Sequence, residues 1–129
     1  LLNTEELRVL VTGADTPIDV EDLRRNTVYG GYHEKDMAVQ YFWEALSSLD
    51  QASLKAFLRF VTSSPNPPLL GFSELNPKFA IRHAGDDITR LPTASTCVNL
   101  LKLPAYNSTA QCLEKVKYAI YSGAGFDLS

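Results

Sequence analysis

The chain has 129 residues, 45% of them hydrophobic and 21% charged, with a formal net charge of −3. That length suits one domain with its own core, and the acidic balance argues against general nucleic-acid binding, which requires a basic face. Two cysteines far apart, without a C-x-x-C pair, suggest neither a disulfide scaffold nor a zinc site, and a reducing compartment is the natural setting. No apolar run reaches the roughly 18 residues of a membrane span, and no charged-then-apolar leader opens the chain. The first residue is Leu1 rather than methionine, so we expect a piece of something longer.

Asn3-Thr4-Glu5-Glu6 reads as a helix start, with Leu7, Leu10 and Val11 forming a narrow apolar stripe and Gly13 a stop. Gly13 to Pro17 then reads as a hinge. Ile18 to Val20 suggests a short strand, overlapping a single helical turn through Arg25 capped by Asp19. Val28-Tyr29-Gly30-Gly31-Tyr32 is a glycine-broken aromatic turn. Two amphipathic helices are expected next, over about Asp36–Leu49 and about Gln51–Thr62, the second capped by Asp50. Trp43 and the phenylalanines are core candidates. Ser63 to Pro68 must be a surface loop, and Leu69 to Phe72 is expected to return to the core. Phe79 to His83 alternates apolar and polar as a half-buried strand does. Ala84 to Arg90 is a polar loop carrying Asp86 and Asp87. Ser108 to Gln111 is a capping box opening a last helix, with Leu113, Val116 and Ile120 inward, Cys112 a structural neighbour, and Gly123 and Gly125 as stops. His33 and His83 have no second ligand at metal-binding spacing. Short strands among capped helices define an α+β class.

The segment between Arg90 and Ala105 stands out: Leu91-Pro92-Thr93-Ala94-Ser95-Thr96-Cys97-Val98-Asn99-Leu100-Leu101-Lys102-Leu103-Pro104. Two Leu-Pro steps bracket extended chain, a small-hydroxyl turn and a strand from about Val98 to Leu103. Cys97 lies where turn becomes strand. The residues alone leave its role open between a buried cysteine in a non-catalytic interaction module and a presented nucleophile. A cysteine hydrolase or redox enzyme fits poorly, with no C-x-x-C and no placed histidine partner.

The order L-P-T-A-S-T-C-x-N-L-L-K-L-P resembles the active-site segment of HECT-type ubiquitin ligases. Tyr29-Gly30-Gly31-Tyr32, Tyr41-Phe42-Trp43-Glu44, the Phe57 to Ser63 run F-L-R-F-V-T-S and Pro68-x-x-Gly71-Phe72 are similar to further elements of that family, with Ser63 where glycine is usual. The resemblance spans the chain. It implies a HECT C-lobe, a small mixed sheet with helices around it. Residues 1–12 would be the last helix of the N-lobe, 13–15 the interlobe hinge, and 16–129 the C-lobe with its tail at 123–129.

It further implies that Cys97 accepts ubiquitin as a thioester from a conjugating enzyme, recruited through the absent N-lobe, and passes it to a substrate lysine. Thr96 is a catalytic candidate for stabilising charge at the reacting carbonyl, with turn support as its alternative. Asp127, Asp86 and Asp87 are candidates for deprotonating the lysine. Phe126, fourth from the end, would anchor the tail on the N-lobe. Leu91, Pro92, Ser95 and Asn99 complete the expected active-site loop. Many family members carry histidine at the Ser95 position, and serine cannot act as a base near neutral pH. This serine form resembles the proteasome-associated (RAUL-like) branch. No cofactor, metal, nucleic acid or membrane is implied; the proteasome is a further candidate partner, and the expected location is cytoplasmic, with the nucleus as a second candidate.

Overall fold

The computed structural model describes residues 16–122. The expected helix over 3–12, the hinge over 13–15, and Gly123, Gly125, Phe126 and Asp127 lie outside the described residues. The element order is α1 (Val20–Arg25), β1 (Val28–Gly30), α2 (Met37–Ser47), α3 (Gln51–Thr62), β2 (Ala80–His83), β3 (Thr93–Ser95), β4 (Leu100–Leu103) and α4 (Thr109–Ser122). Two 3-10 turns, Phe72–Glu74 and Thr96–Val98, interrupt the loops. The four strands form one sheet in the order β1-β2-β4-β3. The first three pair in parallel and β3 runs antiparallel to β4. This is the α+β architecture expected, with α2 and α3 making the crossover from β1 to β2 that parallel pairing demands.

Helices α1, α3 and α4 begin where their side-chain caps dictate. Asp19 Oδ1 accepts from the N–H groups of Glu21 and Asp22 at 3.0 and 3.2 Å, and Asp50 Oδ1 from Ser53 N–H at 2.9 Å. In the last helix Ser108 Oγ accepts from Gln111 N–H, while Gln111 Oε1 reaches back to Asn107 N–H at 2.7 Å. That is the reciprocal arrangement of a capping box, closed one residue earlier than usual. At its far end α3 stops on Ser63 with φ of 69°, in the left-handed region that costs a side chain roughly 1 kcal/mol. Glycine at this position removes that cost.

Phe42, Trp43, Phe57, Phe60 and Phe79 are all at most 2% exposed and fill the space between the helices and the sheet. Trp43 meets Phe79 edge-on at 6.3 Å, and Phe42 meets Phe57 at 5.9 Å. Ile81, Ala94, Leu101 and Leu103 close the core from the sheet's inner face. Trp43 also donates through Nε1 to the Tyr29 hydroxyl, and Arg24 lies 6.0 Å above its ring. The Arg24-Arg25 pair therefore divides, Arg24 half-buried on the indole and Arg25 at the surface facing Asp22.

Four local expectations change. Ile18 to Val20 forms no strand, because the backbone N–H and carbonyl of Ile18 are both taken by the Gln51 side-chain amide. The expected Val28–Tyr32 turn is instead edge strand β1 followed by Gly31 at φ of 72°. Leu69 and Leu70 do not return to the core, being 56% and 79% exposed, and only Phe72 does. Its N–H is held by Asp22 Oδ2 at 2.8 Å, across a Gly71 whose φ is 103°. Finally β4 starts at Leu100 rather than Val98, since Asn99 has φ of 53° and cannot continue a strand.

Candidate active site

The bracketed segment folds as a hairpin. Register pairs Thr93 with Lys102, Ala94 with Leu101 and Ser95 with Leu100. The four residues between, Thr96 to Asn99, make a 3-10 turn closed by a left-handed Asn99. Asparagine is among the few non-glycine residues that adopt this conformation readily, so the turn is written locally.

What holds the turn is not local. Asn99 is only 7% exposed. Its Nδ2 donates to the Pro77 carbonyl at 2.7 Å, and its own carbonyl accepts from Ala80 N–H at 3.0 Å. The turn thereby becomes continuous with the entry to β2 and rests on α3. Ser95, 5% exposed, sits at the foot of the hairpin. Thr96 is half-buried, and Cys97 and Val98 at the apex are exposed. A cysteine at an exposed apex, braced from beneath, is reachable by a large partner and held in a narrow range of orientations. The alternative that required an enclosed Cys97 loses its premise. Asn99, named in the expected active-site loop, has its side-chain amide engaged in supporting the turn.

Among the described residues, Asp86, Asp87, Leu91 and Pro92 do not gather at the thiol. Because β2 and β4 are parallel, Cys97 lies at their N-terminal end, whereas the Ala84–Arg90 loop leaves β2 at the C-terminal end. Asp86 and Asp87 are separated from Cys97 by the strand length, on the order of 10 Å. Asp86 faces His83 Nε2 at 3.4 Å. Asp87 Oδ1 accepts from the Thr89 hydroxyl at 2.6 Å and the Thr89 N–H at 3.0 Å, and these bonds hold its carboxyl below the usual range. Leu91 and Pro92 enter β3 at this same distant end, where Leu91 joins Thr89, Glu114, Lys115, Lys117 and Tyr118 around a groove of about 640 Å³. Asp127 and Phe126 lie outside the described residues.

Of the segment's named residues, Ser95, Thr96, Cys97 and Asn99 share the hairpin turn. Sequence reasoning missed Pro77 and Ala80, the turn's partners, since no pattern in the Asn76 to Ala80 stretch signals a bond 22 residues away. The second cysteine, Cys112, is fully buried on the inner face of α4, and burial pushes its thiol up to about 12.

An α+β lobe that presents one exposed cysteine on a braced hairpin turn has the makings of a covalent acyl carrier. A family model described as HECT-domain (ubiquitin-transferase) matches residues 1–129, and the chain belongs to that family. It is 53% identical over 129 residues to the E3 ubiquitin-protein ligase HUL5 of Saccharomyces cerevisiae, a match covering the whole chain and 14% of that protein. The E3 ubiquitin-protein ligase UPL6 of Arabidopsis thaliana is 45% identical over 135 residues, covering the whole chain and 13% of the relative. The human Ubiquitin-protein ligase E3B is 40% identical over 155 residues, covering the whole chain and 14% of its length. The chain thus spans about a seventh of each relative.

Proposed function

We propose that the chain is the catalytic lobe of a ubiquitin ligase and that Cys97 carries ubiquitin as a thioester. The observation that supports this most directly is the exposure of Cys97 at the apex of a turn braced through Asn99. In the first step the Cys97 thiolate attacks the carbonyl carbon joining the ubiquitin C-terminus to a conjugating enzyme's cysteine. A new C–S bond forms, the old one breaks, and the conjugating enzyme leaves as a thiolate. One thioester replaces another, so position and ionisation matter more than driving force. In the second step a substrate lysine, having lost a proton, attacks the same carbon and Cys97 leaves. Thr96 is the side chain on the turn suited to steady charge at that carbonyl.

Asp127 as the group that orients or deprotonates the lysine, Phe126 as the tail anchor, and the 13–15 hinge are part of the same reading. Asp86 and Asp87 are not, given their place at the other end of the sheet. Ubiquitin, a conjugating enzyme and protein lysines are the partners this chemistry needs. The likeness to the proteasome-associated branch adds the proteasome.

The test supplies activating enzyme, conjugating enzyme and ubiquitin to a ligase carrying this chain. A thiol-sensitive adduct is expected on the chain, and Cys97→Ser converts it to a thiol-resistant ester. Loading that survives Cys97→Ala would refute the assignment.

A further inference from the structure

We propose that the pocket between α3 and α4 is a seat for this chain's own tail, taking Phe126 inside and Asp127 on Arg59 at its rim. Ala56, Arg59, Phe60, Ile120 and Tyr121 line a pocket of about 220 Å³ where the two helices meet. Phe60 is buried, while Tyr121 is 61% exposed with its hydroxyl 2.6 Å from Ser53 Oγ. That bond stands the Tyr121 ring up as one wall. A cavity of about 150 Å³ accepts a benzene ring, so this one has room for a phenylalanine side chain.

Arg59 is the one charged residue of the five. It is exposed, and among the described residues no carboxylate lies within ion-pair distance of it. The pocket therefore offers an apolar hole with a cation at its rim. Its complement is an aromatic residue next to an acid.

The residues after Ser122 are Gly123-Ala124-Gly125-Phe126-Asp127-Leu128-Ser129. Phe126 comes five positions after Tyr121, itself a wall of the pocket. The tether is at most about 17 Å long and has only to fold back. Glycines at 123 and 125 permit that reversal, because they adopt positive φ without a steric penalty. In extended chain, neighbouring side chains point to opposite sides. That alternation sends Phe126 inward and Asp127 outward to the guanidinium. The seat does not depend on the Cys97 reading, but its consequence rests on the proposed function. While seated, Phe126 is withheld from its anchor on the N-lobe, and discharge of the Cys97 thioester waits.

The isotope-labelled chain itself tests the seat by nuclear magnetic resonance. Nuclear Overhauser contacts are expected between the Phe126 ring and the Ala56 and Ile120 methyls, with amide exchange at Phe126 and Asp127 slowed about tenfold. Arg59→Glu and the pocket-filling Ala56→Trp should each remove both signals, and adding Asp127→Arg to Arg59→Glu should restore them. Unslowed exchange without those contacts, contacts to the groove at Leu91 instead, contacts formed only between molecules, or signals indifferent to both variants overturn the seat. In a ligase carrying this chain, Arg59→Glu is expected to leave Cys97 loading unchanged and to speed discharge onto lysine toward the roughly tenfold that full release allows. Unchanged discharge overturns the withholding and leaves the seat standing. A wild-type ligase that never loads overturns the Cys97 reading, and the withholding with it.

Discussion

The two cysteines sit 15 residues apart in sequence and in opposite environments. Cys97 is exposed on a four-residue turn, whereas Cys112 is 0% exposed beneath α4, its thiol pushed up by burial. Each is flanked by small or polar residues, Ser95-Thr96 before Cys97 and Ala110-Gln111 before Cys112. Composition around the sulfur does not separate them. What does is the element each sits on: a hairpin apex leaves its central residue in solvent, and a helix packed on two other helices buries its inner stripe.

The sharpest test of that contrast is alkylation of the native chain. Cys97 should react on the order of a thousand times faster than Cys112, because the buried thiol reacts only when the fold opens. Mass spectrometry of partially alkylated protein reads the ratio, and comparable rates would dissolve the distinction.

A smaller effect probes the brace. Asn99→Ala loses both the Pro77 bond and the tolerance for φ of 53°, and should cost about 2 kcal/mol in denaturant unfolding. Asn99→Gly restores the backbone term and should recover about half. If both variants match wild type, the turn needs no brace.

The smallest effect is a pH slope. The folded Cys112 thiol holds its proton up to about 12, while an unfolded cysteine releases it near 9. Between those values the unfolded chain is the more ionised, so stability falls as pH rises from about 9. Cys112→Ala, itself costing about 1 kcal/mol, should show a shallower slope. Some slope remains above about pH 10, since burial also raises the Tyr32 and Tyr106 hydroxyls. Identical slopes in the two proteins would mean that the buried thiol is not kept neutral by the fold.

Elements written in local chemistry were legible. The Asp19 and Asp50 caps, the box at Ser108, the stripes of α2 and α3 and the alternation of β2 all follow from neighbours within a few residues. Features set across the fold were not. Ile18 looks like a strand residue until Gln51, 33 positions on, occupies its backbone. Leu69 and Leu70 look buried until Asp22 fixes Phe72 and leaves them outside. Asp86 and Asp87 lie about ten residues before Cys97, and only the parallel register sends them to the opposite end of the sheet.

The sequence by itself determined the class of fold, the hairpin-forming segment and its family likeness, because period, caps and turn residues act over one or two turns of chain. Tertiary structure alone decided which cysteine faces water and what braces it. Those are outcomes of strand order and register, where free energy is exchanged between residues tens of positions apart.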